Sequence, residues 1–354
     1  MKIAVVIPPF IALPAKGQGG TERIAEGMIN ELIKRGHNVT LLGAGACKTK
    51  AHYAKIFPKT ISEQQFDSSS VEGSRALRIE TAYIAKVMQY LADHDGEFDV
   101  VFNHMRAGYL LLPLAQKLST PIISVLHLPL FDEVIDVLSQ FKKTNYISIS
   151  NNQRKPAHNR VNFLSTVYNG LDLSEFEFNA TPGDYFVFMG AMGEHKNPHV
   201  AVEAAQKAGV KLVMIGGKKR EPYFSKKILP HLKKGHIEYF GEVSNLKRVE
   251  ILQNAKGFLF PINWEEPFGL VVIEAMACGT PVIAFNHGAM SEIIDSGQDG
   301  FVVKDGVSAM VKAIGSIGKI ERKLCRKKVE ENFTYEKMVD GYLEAYKKVK
   351  ERNA

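Results

Sequence analysis

Residues 265–284 read EEPFGLVVIEAMACGTPVIA, and this run decides the fold. An apolar segment that begins near Phe268 or Gly269 and continues through Ala277 predicts a helix. Pro267 suits its first turn, and the strand PVIAF follows after Gly279. The strand GFLFPI precedes it, with NWEEP as the connecting loop. Strand, loop, helix, strand is the unit from which parallel sheets covered by helices are built. Two acids mark the unit. Glu266 lies in the loop, and Glu274 sits among Val271, Val272, Ile273, Ala275 and Met276, where an acid needs a partner.

The same alternation runs outward in both directions. On the N-terminal side it comprises strand KIAVVI, helix TERIAEGMINELIKRG, strand NVTLLG, helix SRALRIETAYIAKVMQYLADH, strand DVVFN, helix AGYLLLPLAQKL, strand PIISVL, a short helix near DEVIDVL and strand NYISIS. In the first helix Ile24, Met28, Ile29, Leu32 and Ile33 recur at three- and four-residue steps, forming one buried stripe that Gly36 ends. Residues 169–183, NGLDLSEFEFNATPG, interrupt the rhythm and read as a linker. A second series then starts with DYFVFMG and runs through PHVAVEAAQKAG, KLVMIGG, YFSKKILPHLKK, IEYFG and NLKRVEILQNA to the opening run, MSEIID and FVV. The last fifty residues read as helices, and the polar stretch FDSSSVEGS reads as a loop. The expected architecture is two doubly wound α/β domains, 1–172 and 173–334, followed by a helix at about 335–354.

Composition sets limits on function. The 354 residues suffice for about two domains. No run approaches the roughly 18 apolar residues of a membrane span, and MKIAVVIPPF lacks a basic leader, so a cytoplasmic protein is expected. Cys47, Cys278 and Cys325 are too scattered for a disulfide framework or a zinc site. Residues 1–170 carry 19 Lys and Arg against 14 Asp and Glu, which is +5 of the net +7. That bias leaves open peripheral contact with the inner membrane face or an anionic acceptor. No zinc finger, RNP pattern or basic stacking helix points to nucleic acid.

Open parallel sheets bind ligands beyond the carboxyl ends of their strands. The unpaired N–H groups at the start of the helix after GFLFPI favour an anion or a hydroxyl acceptor, and Gly269 admits a ligand close to the backbone. Glu274 lies roughly one and a half turns, about 7.5 Å, beyond Gly269. A carboxylate at that depth suits the vicinal hydroxyls of a ribose, and Glu266 suits those of a sugar. Taken alone, Glu266 reads as readily as a surface acid or helix cap, and Glu274 as the partner of a nearby Lys or Arg.

The run PINWEEPFGLVVIEAMACGTPVIAF resembles the signature of retaining glycosyltransferases of family 4, small bacterial and archaeal type. GQGGTERIAEGMINELIKRGHNVTLLG, VFNHM, VLHLPL, VYNGLDLSEF, EHKNPHVAVEAA, FGEVS and MSEIIDSGQDGFVV extend the resemblance over nearly the whole chain. The resemblance implies the GT-B fold: two Rossmann-like domains facing a central cleft, with the C-terminal helix crossing back to the first. It implies transfer of a hexose from a nucleoside diphosphate sugar to an acceptor hydroxyl, with no metal and no cofactor. UDP-glucose is the first expectation for the donor, with GDP-mannose and UDP-N-acetylglucosamine behind it. Glycan, lipid and small-metabolite acceptors all remain open, and a binding protein without transferase activity is the alternative.

Carried over by position, the resemblance assigns donor-sugar hydroxyls to Glu266, the ribose to Glu274 and the diphosphate to Lys196. Backbone N–H groups of Phe268, Gly269 and Leu270 assist, and Gly19 and Gly20 reach the diphosphate. His127 lines the sugar pocket, and the backbone of Gly241, Glu242 and Val243 meets the base. His104 in VFNHM reads equally as a structural histidine. One position departs from the pattern: in GAMGEHKNP, Ala191 stands where an Arg usually joins the Lys, and His195 stands where a Glu is common. Lys218 and Lys219, after the strand KLVMIGG, are the candidates to replace that charge, without the fork of a guanidinium.

Overall fold

The computed structural model describes all residues except 16–18, 65–69, 142–143, 219–220, 233–234 and 354. The chain divides into two compact units, Met1–Gly170 with Tyr335–Ala354, and Leu171–Thr334.

The first unit holds a seven-stranded parallel sheet. Its strands are β1 (Lys2–Val6), β2 (Asn38–Ala44), β3 (His52–Phe57), β4 (Val100–Asn103), β5 (Ile122–Leu126), β6 (Asn145–Ser148) and β7 (Phe163–Thr166). Their order across the sheet is β3-β2-β1-β4-β5-β6-β7. Ile3 to Val6 and Val100 to Phe102 are wholly buried, as central strands covered on both faces require. The order reverses between β1 and β4, so the loops after those two strands diverge and leave a crevice at their carboxyl ends.

The second unit repeats the plan with β8 (Tyr185–Met189), β9 (Lys211–Ile215), β10 (Ile237–Gly241), β11 (Gly257–Phe260), β12 (Val282–Phe285) and β13 (Gly300–Val303). Here the order is β10-β9-β8-β11-β12-β13, and the reversal falls between β8 and β11. The opening run supplies the loop after β11, the helix Leu270–Ala277 and β12.

The C-terminal helix Tyr335–Asn353 belongs to the first unit. It packs on the helix Gly20–Lys34, where Gly27 lets the Tyr335 ring lie so close that a Cβ would stand 2.1 Å from it. Arg35 bonds Asp340 at 2.6 Å, and the buried Tyr342 packs against Phe102. In the second unit the segment after Leu171 is held by two arginines. Arg322 donates to the carbonyls of Asn179, Gln253 and Ala255, and Arg326 to those of Phe176 and Ala277.

Several elements differ from the sequence expectation. β3 and β7 were not anticipated; both are edge strands, and HYAKIF is half-exposed throughout, so neither presents the apolar run of a central strand. The helix expected over AGYLLLPLAQKL is a 3-10 turn, Gly108–Leu111, followed by one helical turn, Leu112–Ala115, with Pro113 inside it. YFSKKILPHLKK divides into Glu221–Lys227 and Leu229–Leu232, with Pro230 at the start of the second piece. Of the expected loop FDSSSVEGS, Ser70 to Ser74 begin the 24-residue helix Ser70–Asp93, and the rest lies outside the described residues.

Candidate functional site

In the second unit the carboxyl ends of β8, β9 and β10 are laced together by backbone. The amide of Met192 donates to the Gly217 carbonyl at 2.9 Å, and that of Gly216 to the Gly241 carbonyl at 2.8 Å. Gly216 has φ +137, and a Cβ there would stand 1.9 Å from the Gly190 oxygen, so only glycine permits this approach. The chain leaving β8 then makes a 3-10 turn, Glu194–Lys196, and enters the helix Pro198–Ala208 through Asn197. This turn delivers Lys196 to the switch point, where its Nζ lies 2.5 Å from Oε2 of Glu266 in the loop after β11. The ammonium also stands 5.0 Å from the Trp264 ring and 5.6 Å from the Phe260 ring. Both members of the pair are partly buried, so their attraction is screened less than that of a surface pair.

The Glu266 loop is set from both sides. The amide of Glu266 donates to the Trp264 carbonyl, and the carbonyl of Glu266 accepts from the Ala289 amide at 3.0 Å. Gly269 follows with φ +97 as the N-cap of the helix Leu270–Ala277, without a side-chain cap. The first N–H groups of that helix therefore lack the usual side-chain acceptor at the carboxyl edge of the sheet. Phe268 is buried and packs edge-on against Phe333.

Glu274, one turn into the helix, is 1% exposed, and Nη1 of Arg248 lies 3.2 Å from its Oε2. Arg248 comes from the first turn of the helix Asn245–Asn254, which Ser244 caps. Two of the three acids of the opening run thus have a Lys or Arg: Lys196 for Glu266 and Arg248 for Glu274. Sequence reasoning raised a Lys or Arg partner for Glu274 without identifying Arg248. Its only signal was a basic residue, one turn after a Ser cap, on an otherwise amphipathic helix.

Gly241, φ +70, ends β10, and the Glu242 side chain lies against Gly217, where a Cβ would meet its Oε1 at 2.4 Å. Val243 is half-buried beside them. Lys218, expected as a replacement cation, has its ammonium over the rings of Phe224, at 4.4 Å, and Tyr239, at 5.8 Å. Lys219 lies outside the described residues. Ala191 is half-exposed in the turn after β8, and His195 packs edge-on to Trp264 at 6.1 Å.

In the first unit His104 directly follows β4 and His127 directly follows β5. Nδ1 of His104 lies 2.9 Å from Nε2 of His127 with the rings stacked. Burial, reinforced by Arg106, pushes His127 down to about 3, and burial holds the fully enclosed His104 well below the ordinary imidazole range. Both rings are therefore neutral at pH 7, with one proton shared along their contact. Gly19 caps the helix Gly20–Lys34 without a side-chain bond. Glu22, in the first turn, is wholly buried with no hydrogen-bond partner for either carboxyl oxygen among the described residues. Its burial raises its affinity for a proton. Sequence reasoning reached His127 and Gly19 but not Glu22 or the histidine pair. Among the described residues no three His, Cys, Asp or Glu side chains gather as a metal site.

Residues 18–175 match the model of Glycosyltransferase Family 4, and residues 173–333 that of Glycosyl transferases group 1. Spore coat protein SA of Bacillus subtilis is 25% identical over 221 residues, 52% of this chain and 58% of that protein. The chain spans about half the length of the curated relatives it matches. Among solved structures, sucrose-phosphate synthase from Thermosynechococcus elongatus aligns with TM-score 0.78 at 17% identity, over 98% of both chains. HepE from Anabaena, crystallised with UDP and glucose, aligns with TM-score 0.72 at 15% identity, over 97% of this chain and 98% of that one.

Proposed function

For a two-domain chain of the glycosyltransferase GT-B type, we propose retaining transfer of a hexose from a nucleoside diphosphate sugar, UDP-glucose foremost, to an acceptor hydroxyl. The observation that carries the reading is the Lys196–Glu266 pair at the switch point, beside a helix start without a side-chain cap and a buried carboxylate one turn farther in. HepE supports the choice of UDP and glucose, since that protein was crystallised with both.

In this reading Glu266 accepts hydrogen bonds from the sugar, and Lys196 turns from Glu266 to the diphosphate. Glu274, oriented by Arg248, takes the ribose hydroxyls. The amides of Phe268, Gly269 and Leu270 face the oxygens that gain charge, and the backbone from Gly241 to Val243 meets the base. Within the first unit, Gly19 and Gly20 open a helix without a side-chain cap, which suits an anion, and neutral His127 can give a hydrogen bond without placing a cation. The bond from the anomeric carbon to the diphosphate breaks while the bond to the acceptor oxygen forms on the same face. The acceptor proton passes to a departing phosphate oxygen, so no protein nucleophile, metal or resident cofactor takes part. Rate then comes from positioning and from preorganised charge on the leaving group.

The first unit would hold the acceptor, whether glycan, lipid or small metabolite. Its excess of positive charge favours an anionic or membrane-associated one. No described helix is long and apolar enough to cross a membrane; we place the protein in the cytoplasm, with peripheral membrane contact open. A second reading, sugar-nucleotide binding with weak or no transfer, is favoured by Ala191 and by Lys218 lying over two aromatic rings.

Calorimetric titration with UDP and UDP-glucose, beside transfer and hydrolysis assays, tests both readings. Glu274→Ala is expected to weaken UDP and UDP-glucose alike by roughly ten- to a hundredfold, the worth of a charged hydrogen bond. Glu266→Gln should weaken UDP-glucose relative to UDP, whose diphosphate gains an ammonium no longer held by the carboxylate. UDP affinity untouched by Glu274→Ala sinks the ribose assignment, and tight binding without turnover selects the second reading.

A further inference from the structure

The Glu266 loop is held from the side of β12 and β13 by contacts that the donor chemistry does not use. His287 lies just beyond β12. Its Nε2 stands 2.8 Å from Oδ2 of Asp305, just beyond β13, and its Nδ1 3.4 Å from Oε1 of Glu265. The other oxygen of Glu265 accepts the Gly288 amide at 2.8 Å. Gly288 passes so near that a Cβ on it would stand 2.1 Å from the Glu266 carbonyl oxygen. A ring with a carboxylate at each nitrogen satisfies both only as imidazolium, because neutral imidazole carries a single N–H.

We propose that His287 is a positioning residue for Glu266: its imidazolium ties the Glu265–Glu266 loop to the end of β13, and loss of its proton releases the longer bond, to Glu265. The inference rests on the donor-sugar role given to Glu266 above. Asp305 and Glu265, from the loops after β13 and β11, are the charged groups that act on the ring. Burial opposes the imidazolium, but the two carboxylate bonds outweigh it and lift its titration above the ordinary 6.5. The sign follows. A raised folded value means that the clamp is complete below the ordinary histidine range and is lost as pH rises through the folded value. Sugar-nucleotide binding therefore weakens on the alkaline side, whereas UDP, which has no hexose for Glu266 to hold, keeps the same pH profile with or without His287.

Trp264 is the single tryptophan of the chain and lies in this loop, its carbonyl accepting the Glu266 amide. Its emission is followed from about pH 5.5 to 9 on ligand-free protein, a range that brackets a raised histidine. The expected result is one transition with its midpoint above 6.5, lost in His287→Gln and moved to lower pH in Asp305→Asn. It should survive His195→Gln, which removes the imidazole that lies edge-on to the indole. A flat wild-type profile, or a transition unchanged in His287→Gln, overturns the inference whether or not any sugar nucleotide binds. In a second arm, UDP-glucose affinity should fall roughly five- to tenfold from pH 6 to pH 9 in the wild type, the worth of one ordinary hydrogen bond and less than that of a charged one, because the lost contact acts on Glu266 only through its loop. It should stay level in His287→Gln, while UDP, whose terminal phosphate gains its second charge at about pH 6, should follow the same profile in both proteins. A Trp264 transition beside pH-independent UDP-glucose binding rejects the positioning role. A transition without UDP-glucose binding at either pH counts against the donor reading of Glu266 and leaves the clamp standing.

Discussion

Glu266 and Glu274 stand eight residues apart in sequence and on opposite sides of a helix start, and each meets a cation supplied by another element. The two pairs differ in kind. Lys196–Glu266 is partly open to solvent, so a diphosphate competing for the ammonium breaks a bond of modest worth. Glu274–Arg248 is nearly closed, and removing one partner there leaves a buried charge uncompensated. In the proposed reading the leaving group depends on few cations, which gives Ala191 its importance. Ala191→Arg restores a guanidinium in the turn after β8 and is expected to raise transfer at least tenfold, measured as kcat with UDP-glucose and a competent acceptor, since a preorganised donor of charge is worth that or more. Unchanged turnover, or lost donor binding, contradicts the placement of this position. Glu274 was legible in the sequence because a carboxylate amid six apolar neighbours is conspicuous, and Glu266 because it lies in the loop between a strand and the helix that carries Glu274. Arg248 was not, because which cation meets Glu274 depends on the packing of two helices joined through β11.

At the scale of elements, glycines mark where backbone meets backbone or ring. Gly216, against Gly190, brings the ends of β8 and β9 together, and Gly27 seats the C-terminal helix on the helix after β1. Gly27→Val forces side-chain atoms into the Tyr335 ring and is expected to cost about 1–3 kcal/mol of stability, read from denaturant unfolding. Tyr335→Ala in the same chain should recover part of that loss, and a single variant as stable as the wild type would show that the two helices do not pack closely. Central strands were readable because burial on both faces leaves an uninterrupted apolar run, as in IAVV of β1 and VIAF of β12. The edge strands β3 and β7 were not, since half-exposed positions blur the run. Pro113 and Pro230 were the available signals for the two broken helices.

For the whole molecule, the alternation of strand and helix, interrupted once near residue 170, was enough to read two doubly wound units. The reversal of strand order, β1 against β4 and β8 against β11, positions the candidate residues within each unit. That reversal is a property of sheet assembly that no local pattern encodes, which is why the site residues were reached through resemblance and loop position. The histidine pair after β4 and β5 likewise exists only once those strands lie side by side. The account turns on the donor gripped by the second unit, and a crystal structure of the protein soaked with UDP-glucose tests it most directly. The account predicts ribose hydroxyls about 2.7–3.0 Å from the Glu274 carboxylate, hexose hydroxyls on Glu266, and the Lys196 ammonium on the diphosphate. A nucleotide bound remote from both acids, or seated in the second unit without touching either, would contradict it.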